Sequence, residues 1–227
     1  MQTAGVAVGS LAVPWIGMGA EAGEQERLEA AIPQKAPAVP RKARKLLIFD
    51  LNVDYGGHRS IQTANSAFTL MGRKTGAFET VISRDPAVFK RESLKQFDAV
   101  FLNNTVGNLF EDAGLRQSLL EFVYGGGGLM GVHGTSVAFL RWKEGGKEDW
   151  PEFAVMLGMR GAHHRANTEK VFMKVEEPEH PVTKCFGGHG FEFQDEFFRP
   201  KGTYSRNRDR VLLGIDLEKT DLKDEPH

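Results

Sequence analysis

The sequence predicts an α/β protein, a mainly parallel sheet wrapped by helices. Three observations carry this: short, nearly continuous apolar runs, amphipathic segments alternating with them, and polar loops that follow the runs. "KLLIFDL" (Lys45 to Leu51) has the pattern of a parallel strand buried on both faces. After the polar loop "NVDYGGHRS", Ile61, Ala64, Ala67, Phe68 and Met71 recur at helical spacing, with Ser60 as the expected N-cap and the helix running to about Gly72. "FETVIS" and "AVFLNN" read as the second and third strands, and "LRQSLLEFVYGG" as a helix closing on glycines in the C-cap position. "GLMGVH" is the fourth strand. The runs at Lys45, Ala99 and Gly128 are expected to be neighbouring central strands. Beyond Trp142 the alternation stops. "KEGGKED" reads as a surface insertion, "WPEFAVMLG" as a short helix opened by Pro151, and "EKVFMKVEEPEHPV", "FEFQDEFF" and "RVLLGIDL" as strand-like segments.

Composition narrows the function classes. With 227 residues and 41% hydrophobic content, one sizeable domain plus a tail is expected. The 29 Lys and Arg balance 30 Asp and Glu, and no basic stripe tracks a phosphate backbone, so nucleic acid is not an expected partner. The single cysteine, Cys185, excludes an internal disulfide framework and a Cys-rich zinc site. The first twenty residues carry no charge and lead into Ala20-Glu21-Ala22, an A-x-A-like cleavage pattern. Residues 1–22 are therefore read as an export signal lacking its basic start, with a periplasmic or cell-envelope destination. Pro14 and the glycines argue against a stable membrane span. Residues 23–44, rich in Pro, Ala and Lys, are read as an extended linker, and residues 45–227 as the folded domain.

In parallel α/β sheets ligands bind where the loops gather at the carboxyl ends of the strands. Here those loops hold Tyr55 to Ser60, Asn103-Asn104-Thr105 and His133 to Ser136. The last belongs to "GGGGLMGVHGTS", which has the spacing of a strand-to-helix elbow, a turn that in hydrolases presents a nucleophile; here His133 occupies that place. The glycine run lacks the Lys-Ser/Thr ending of a phosphate loop and precedes a strand rather than following one. An elbow histidine can serve as general base or metal ligand. His58 follows Gly56-Gly57 at the end of the first strand, where it either joins His133 or merely flanks the helix start. Asn103, Asn104 and Thr105 are suited to hydroxyl groups, though asparagines at strand ends are also ordinary turn formers.

The segments "GGHRS", "FDAVFLNNTVGN", "LLEFVYGGGGLMGVHGTS", "WPEFAVMLG", "EEPEHPVTKCF" and "FEFQDEFF", taken in order, resemble the ThuA-like family, named for trehalose utilization, from Lys45 onward. The resemblance implies a flavodoxin-like, three-layer α/β sandwich related to class I glutamine amidotransferases, without their catalytic cysteine. Cys185 is not in an elbow, so amidotransferase activity is not expected. The resemblance also implies carbohydrate metabolism, often beside sugar dehydrogenases that make 3-keto-sugars. It selects His164 over His163 and adds the Asp195-Glu196 pair. Family members commonly place proline after the motif histidine, where this chain has Arg165, and commonly continue past this C-terminus, so the domain is read as truncated there. The site expected is catalytic His133, Glu196 and Asp195, with His58, His133 and His164 holding a divalent metal such as Zn²⁺. Asn103, Asn104, Thr105, Ser136 and Trp142 are the expected substrate contacts. The expected function is chemistry on a sugar or keto-sugar derivative, with a non-catalytic sugar-binding or accessory domain as the alternative.

Overall fold

The apolar runs become the strands of a four-stranded sheet in the computed structural model, which describes residues 22–141, 149–164, 169–202 and 204–220. In chain order the first elements are α1 (Ala22–Ala31), β1 (Lys45–Phe49), α2 (Ser60–Thr75), β2 (Glu79–Ser83), α3 (Arg91–Leu94) and β3 (Ala99–Asn103). They are followed by α4 (Ala113–Tyr124), β4 (Gly128–Val132), α5 (Pro151–Leu157), β5 (Lys170–Val175), β6 (Phe191–Gln194) and β7 (Leu213–Ile215). The first four strands pair in parallel in the order β2-β1-β3-β4. Strands β1, β3 and β4 are neighbours as expected, with β4 at the edge among the described residues. The fold is α/β, a parallel sheet consistent with a flavodoxin-like sandwich.

Side chains alternate across this sheet, and each face has its own helical cover. On one face Leu47, Phe49, Val100 and Leu102 pack with Leu119 of α4 and Phe153 of α5, joined by Phe89, Phe110 and Phe139. On the other, Leu46, Ile48 and Phe101 meet Phe68 of α2 and Phe78. Both faces of β1 and β3 are thus buried, which is why these strands read as continuous apolar runs. The three later strands form a separate antiparallel sheet, β6-β5-β7, in which β5 pairs with both neighbours.

Three local readings change. The segment read as linker begins as helix α1, because "GEQERLEAA" is made of good helix formers. It lies along α2: Thr63 Oγ1 donates to Glu24, Lys74 Nζ donates to the Glu29 carbonyl at 2.7 Å, and Ile32 is buried. Arg59, not Ser60, occupies the cap position of α2, and no side chain caps it. That helix also runs past Gly72 to Thr75 and ends on Gly76, whose φ of 63° is the left-handed conformation glycine adopts freely. The apolar stretch read as an export signal and most of the "KEGGKED" insertion lie outside the described residues. None of the described helices is long and apolar enough to cross a membrane.

Gly72 sits buried within α2 because a side chain there has no room: a Cβ would lie 2.4 Å from the Phe78 carbonyl oxygen. Helix propensity alone favours Ala over Gly by about 1 kcal/mol. Backbone cannot yield as a flexible side chain can, so Gly72→Ala is expected to lower stability by roughly 1–3 kcal/mol in urea unfolding. A more stable variant would show that the α2–β2 contact is looser than described.

Candidate functional site

Strand order places the site. Because β1 pairs with β2 on one side and β3 on the other, a crevice opens at their carboxyl ends, the usual ligand position in such sheets. The β1 loop brings His58, the end of β3 brings Asn103 and Asn104, and β4 runs directly into a 3₁₀ turn from His133 to Val137.

His133 stands on an elbow. Its φ is +48°, a left-handed conformation that costs a non-glycine residue about 1–3 kcal/mol and that its surroundings enforce. The flanking glycines leave it room. A Cβ on Gly131 would meet Thr135 Cγ2 at 2.8 Å, and one on Gly134 would meet Asn104 Oδ1 at 2.6 Å. The turn is pinned underneath: Gly134 N–H donates to Asn104 Oδ1 at 3.0 Å, Thr135 Oγ1 donates to the Leu102 carbonyl at 2.9 Å, and Ser136 Oγ donates to the His133 carbonyl at 2.9 Å.

Three groups meet at the elbow ring, and His164 stands just beyond them. His133 Nε2 lies 3.2 Å from Glu196 Oε2, and the His58 ring stands edge-on to it at 5.1 Å between centroids. His164 Nε2 is 4.0 Å from the same Glu196 oxygen, and Phe198 packs between the two rings, 5.0 Å from His133 and 4.9 Å from His164. One ligand atom each from His58, His133 and Glu196 lies within 4.8 Å of the others, so these three can share an ion. His164 is at the rim, its side chain 37% exposed against 20% for His133. Glu196 thus stands where His164 was expected as third ligand. Two imidazoles and a carboxylate match the donor set of Zn²⁺ sites. Tyr55 Oη is 3.0 Å from His58 Nε2, a contact that orients this ring.

The segment carrying Glu196 is held from behind. Arg199 donates twice to Glu169, at 3.1 and 2.5 Å, in a largely buried bidentate pair. Backbone bonds from Arg199 N to the His163 carbonyl and from Ala162 N to the Arg199 carbonyl tie this segment to the histidine loop. Asp195 joins His58, Asn103, Asn104, His133 and Glu196 around a cavity of about 380 Å³. A second, mostly apolar cavity of about 720 Å³ opens on the other side of His133, lined by Phe101, Met130, Met156 and Ser136 among others.

The expected substrate contacts are therefore divided. Asn103 and Asn104 reach the polar cavity, and Ser136 reaches the apolar one. Thr105 is fully buried, its hydroxyl 3.2 Å from that of Thr135, so it supports the elbow from below. Trp142 lies outside the described residues. Tyr55 and Phe198 were not anticipated, since a tyrosine in a glycine loop and one aromatic among several carry no signal of their own.

Burial pushes His133 below the ordinary imidazole range, and the neighbouring His58 pushes the same way; Glu196 and Asp195 pull in the opposite direction without overcoming them. The contact with Glu196 taken alone would favour imidazolium, but desolvation outweighs it. The 3.2 Å contact is accordingly a neutral Nε2–H donating to a carboxylate, and the ring is neutral at pH 7.

A parallel sheet whose elbow offers a histidine to a carboxylate defines an α/β protein with an imidazole–carboxylate site at the carboxyl edge of its sheet. The chain belongs to the ThuA family, whose model, described as trehalose utilisation, matches residues 45–227. Among solved structures it is similar to a ThuA-like protein from Bacteroides uniformis ATCC 8492, with a TM-score of 0.61 at 23% identity over 80% of this chain and 72% of that one. At this identity the likeness is one of fold. No curated protein matches the chain.

The His133 shift has a definite sign in the metal-free protein. A histidine with a lowered folded pKa favours folding fully above the unfolded value of about 6.5, and that contribution is lost as pH falls through the folded value. An NMR titration of His133 should give a midpoint below 6.5, and stability in urea should decline below that pH less steeply in His133→Asn than in the parent protein. A midpoint above 6.5 would mean that the Glu196 pairing dominates.

Proposed function

We propose that the protein acts on a sugar or keto-sugar derivative at the elbow, with His58, His133 and Glu196 holding a divalent ion such as Zn²⁺. The observation that supports this best is the convergence of three ligand atoms, from the β1 loop, the elbow and the segment after β6, within 4.8 Å of one another. An ion bound there supplies a Lewis acid for a carbonyl or hydroxyl oxygen. The chain's own residues supply the rest. Glu196, next to His133 at 3.2 Å, would take or return a proton through the carboxylate oxygen that the ion leaves free, and Asp195 adds negative charge beside it. Asn103 and Asn104 offer hydrogen bonds to ligand hydroxyls at the floor of the same cavity. His164 and Phe198 close the outer side.

Proton transfer beside a polarised carbonyl suits elimination, hydration or isomerisation of a 3-keto-sugar. Such a substrate is supplied by an oxidation at a ring carbinol, which makes a sugar dehydrogenase the fitting functional partner. Membership in a family described by trehalose utilisation supports the carbohydrate assignment. Export belongs to the same reading and is supported by the uncharged first twenty residues and the Ala20-Glu21-Ala22 pattern.

The test is turnover of 3-keto-glucosides by the purified chain, with zinc content measured by mass spectrometry after loading and dialysis. Glu196→Gln, which takes away an ion ligand as well as the proton-carrying group, should lower bound zinc and lower turnover by at least about 10²–10⁴-fold, the usual worth of a general acid-base group. His133→Ala should lower bound zinc and turnover together while leaving the circular dichroism spectrum unchanged. Sugar binding without turnover in the parent protein would favour the accessory-domain reading, and full activity in His133→Ala would remove the elbow from the chemistry.

A further inference from the structure

Behind the site runs a buried chain of polar side chains that the proposed chemistry does not use. Asp50, at the end of β1, is 3% exposed and receives Arg84 Nε at 2.8 Å from the surface side. On its inner side Asn65 Nδ2 of α2 donates to Asp50 Oδ2 at 2.7 Å, and Asn103 Nδ2 of β3 donates to Asn65 Oδ1 at 2.9 Å. Asn103 Nδ2 also donates to the Ile61 carbonyl at 2.9 Å. Asn65 and Asn103 are 2% and 1% exposed, so none of these groups can exchange its partner for bulk water at low cost.

The chain has only one workable direction. A carboxylate accepts and cannot donate, so Asn65 must turn its amide nitrogen toward Asp50. That turns Asn65 Oδ1 toward Asn103. The Ile61 carbonyl is likewise only an acceptor, so both hydrogens of the Asn103 amide are engaged on the helix side. Asn103 Oδ1 remains, with no hydrogen-bond partner among the described residues, and Asn103 lines the polar cavity together with His58 and Glu196. The other side-chain oxygens there include the carboxylates of Asp195 and Glu196, and among the described residues no Lys or Arg lines the cavity.

We propose that Asp50, acting through Asn65, is a positioning residue that locks Asn103 with its carbonyl oxygen toward the cavity, so that the metal-free site selects a neutral, hydroxyl-donating ligand over a phosphorylated or carboxylated one. The identity of that ligand as a sugar rests on the function proposed above; the direction of the hydrogen-bond chain does not. A hydroxyl donates to Asn103 Oδ1, whereas a phosphate or carboxylate brings lone pairs against it and against two carboxylates. In the absence of a bound ion, an anion would find no fixed cation among these lining groups.

The test reads side-chain amides by ¹⁵N NMR in the metal-free full chain and needs no turnover. In the parent protein the Asn103 side-chain NH₂ should exchange with solvent at least about tenfold more slowly than that of exposed Asn207, as expected for a buried, doubly bonded amide, and show NOEs to Ile61 and Asn65. Asp50→Asn removes the acceptor-only anchor and should accelerate Asn103 exchange while the backbone spectrum stays dispersed. Inorganic phosphate should leave the Asn103 and His133 signals in place. Asn103 exchanging at the Asn207 rate, or remaining equally protected in Asp50→Asn, overturns the positioning role. A saturable phosphate shift at Asn103 or His133 overturns the selection for neutral ligands. Because none of these signals depends on sugar turnover, a missing keto-sugar activity would count against the function and leave this proposal standing or falling on its own.

Discussion

The left-handed backbone at His133 is the constraint from which the rest of the site follows. A side chain held at φ +48° on the turn directly after a parallel strand points away from the sheet, into the space where the neighbouring loops end. Keeping it there requires glycine on both sides at Gly131 and Gly134, and a supporting layer of Asn104, Thr105 and Thr135 whose polar atoms bond the turn from below. An imidazole there can bind an ion or pass a proton.

The fold then brings charge to that ring under conditions where the charge matters. Glu196 approaches His133 because the Arg199–Glu169 pair and the backbone bonds to the His163 loop hold its segment across the mouth of the sheet. Burial keeps His133 neutral despite this carboxylate, and neutral imidazole is the form that ligates a metal. Beneath them, the Asp50–Asn65–Asn103 chain extends the same principle into the core, with one fixed carboxylate setting the direction of every hydrogen bond above it.

Much of this was legible in the sequence where the signal is local. The strands of the parallel sheet follow from continuous apolar runs, and α4 and α5 from their glycine stops and Pro151. His133 was identifiable because the elbow spacing is short-range, and His58 because it follows a glycine pair at a strand end. What depends on long-range pairing was not. The segment around Ala22–Ala31 lies beside a Pro- and Lys-rich stretch whose composition concealed a helix. The last three strands were visible as strands, but their separate antiparallel sheet arises from pairings such as Val171 with Phe193, which no local pattern encodes. Thr105 looked like a ligand contact because it is polar and follows a strand, yet Thr135, thirty positions later, takes its hydroxyl. Glu196 entered through family resemblance rather than from its own spacing, and its place within 3.2 Å of His133 reflects tertiary contacts.

The central claim is that the elbow, the β1 loop and the segment after β6 form one ion site. It is tested most directly by a crystal structure of the zinc-soaked protein with anomalous data collected above and below the zinc edge. The account predicts one strong anomalous peak about 2.0–2.2 Å from a nitrogen of His58, a nitrogen of His133 and an oxygen of Glu196. A zinc peak held elsewhere, with these three side chains free of it at saturating zinc, would contradict the account.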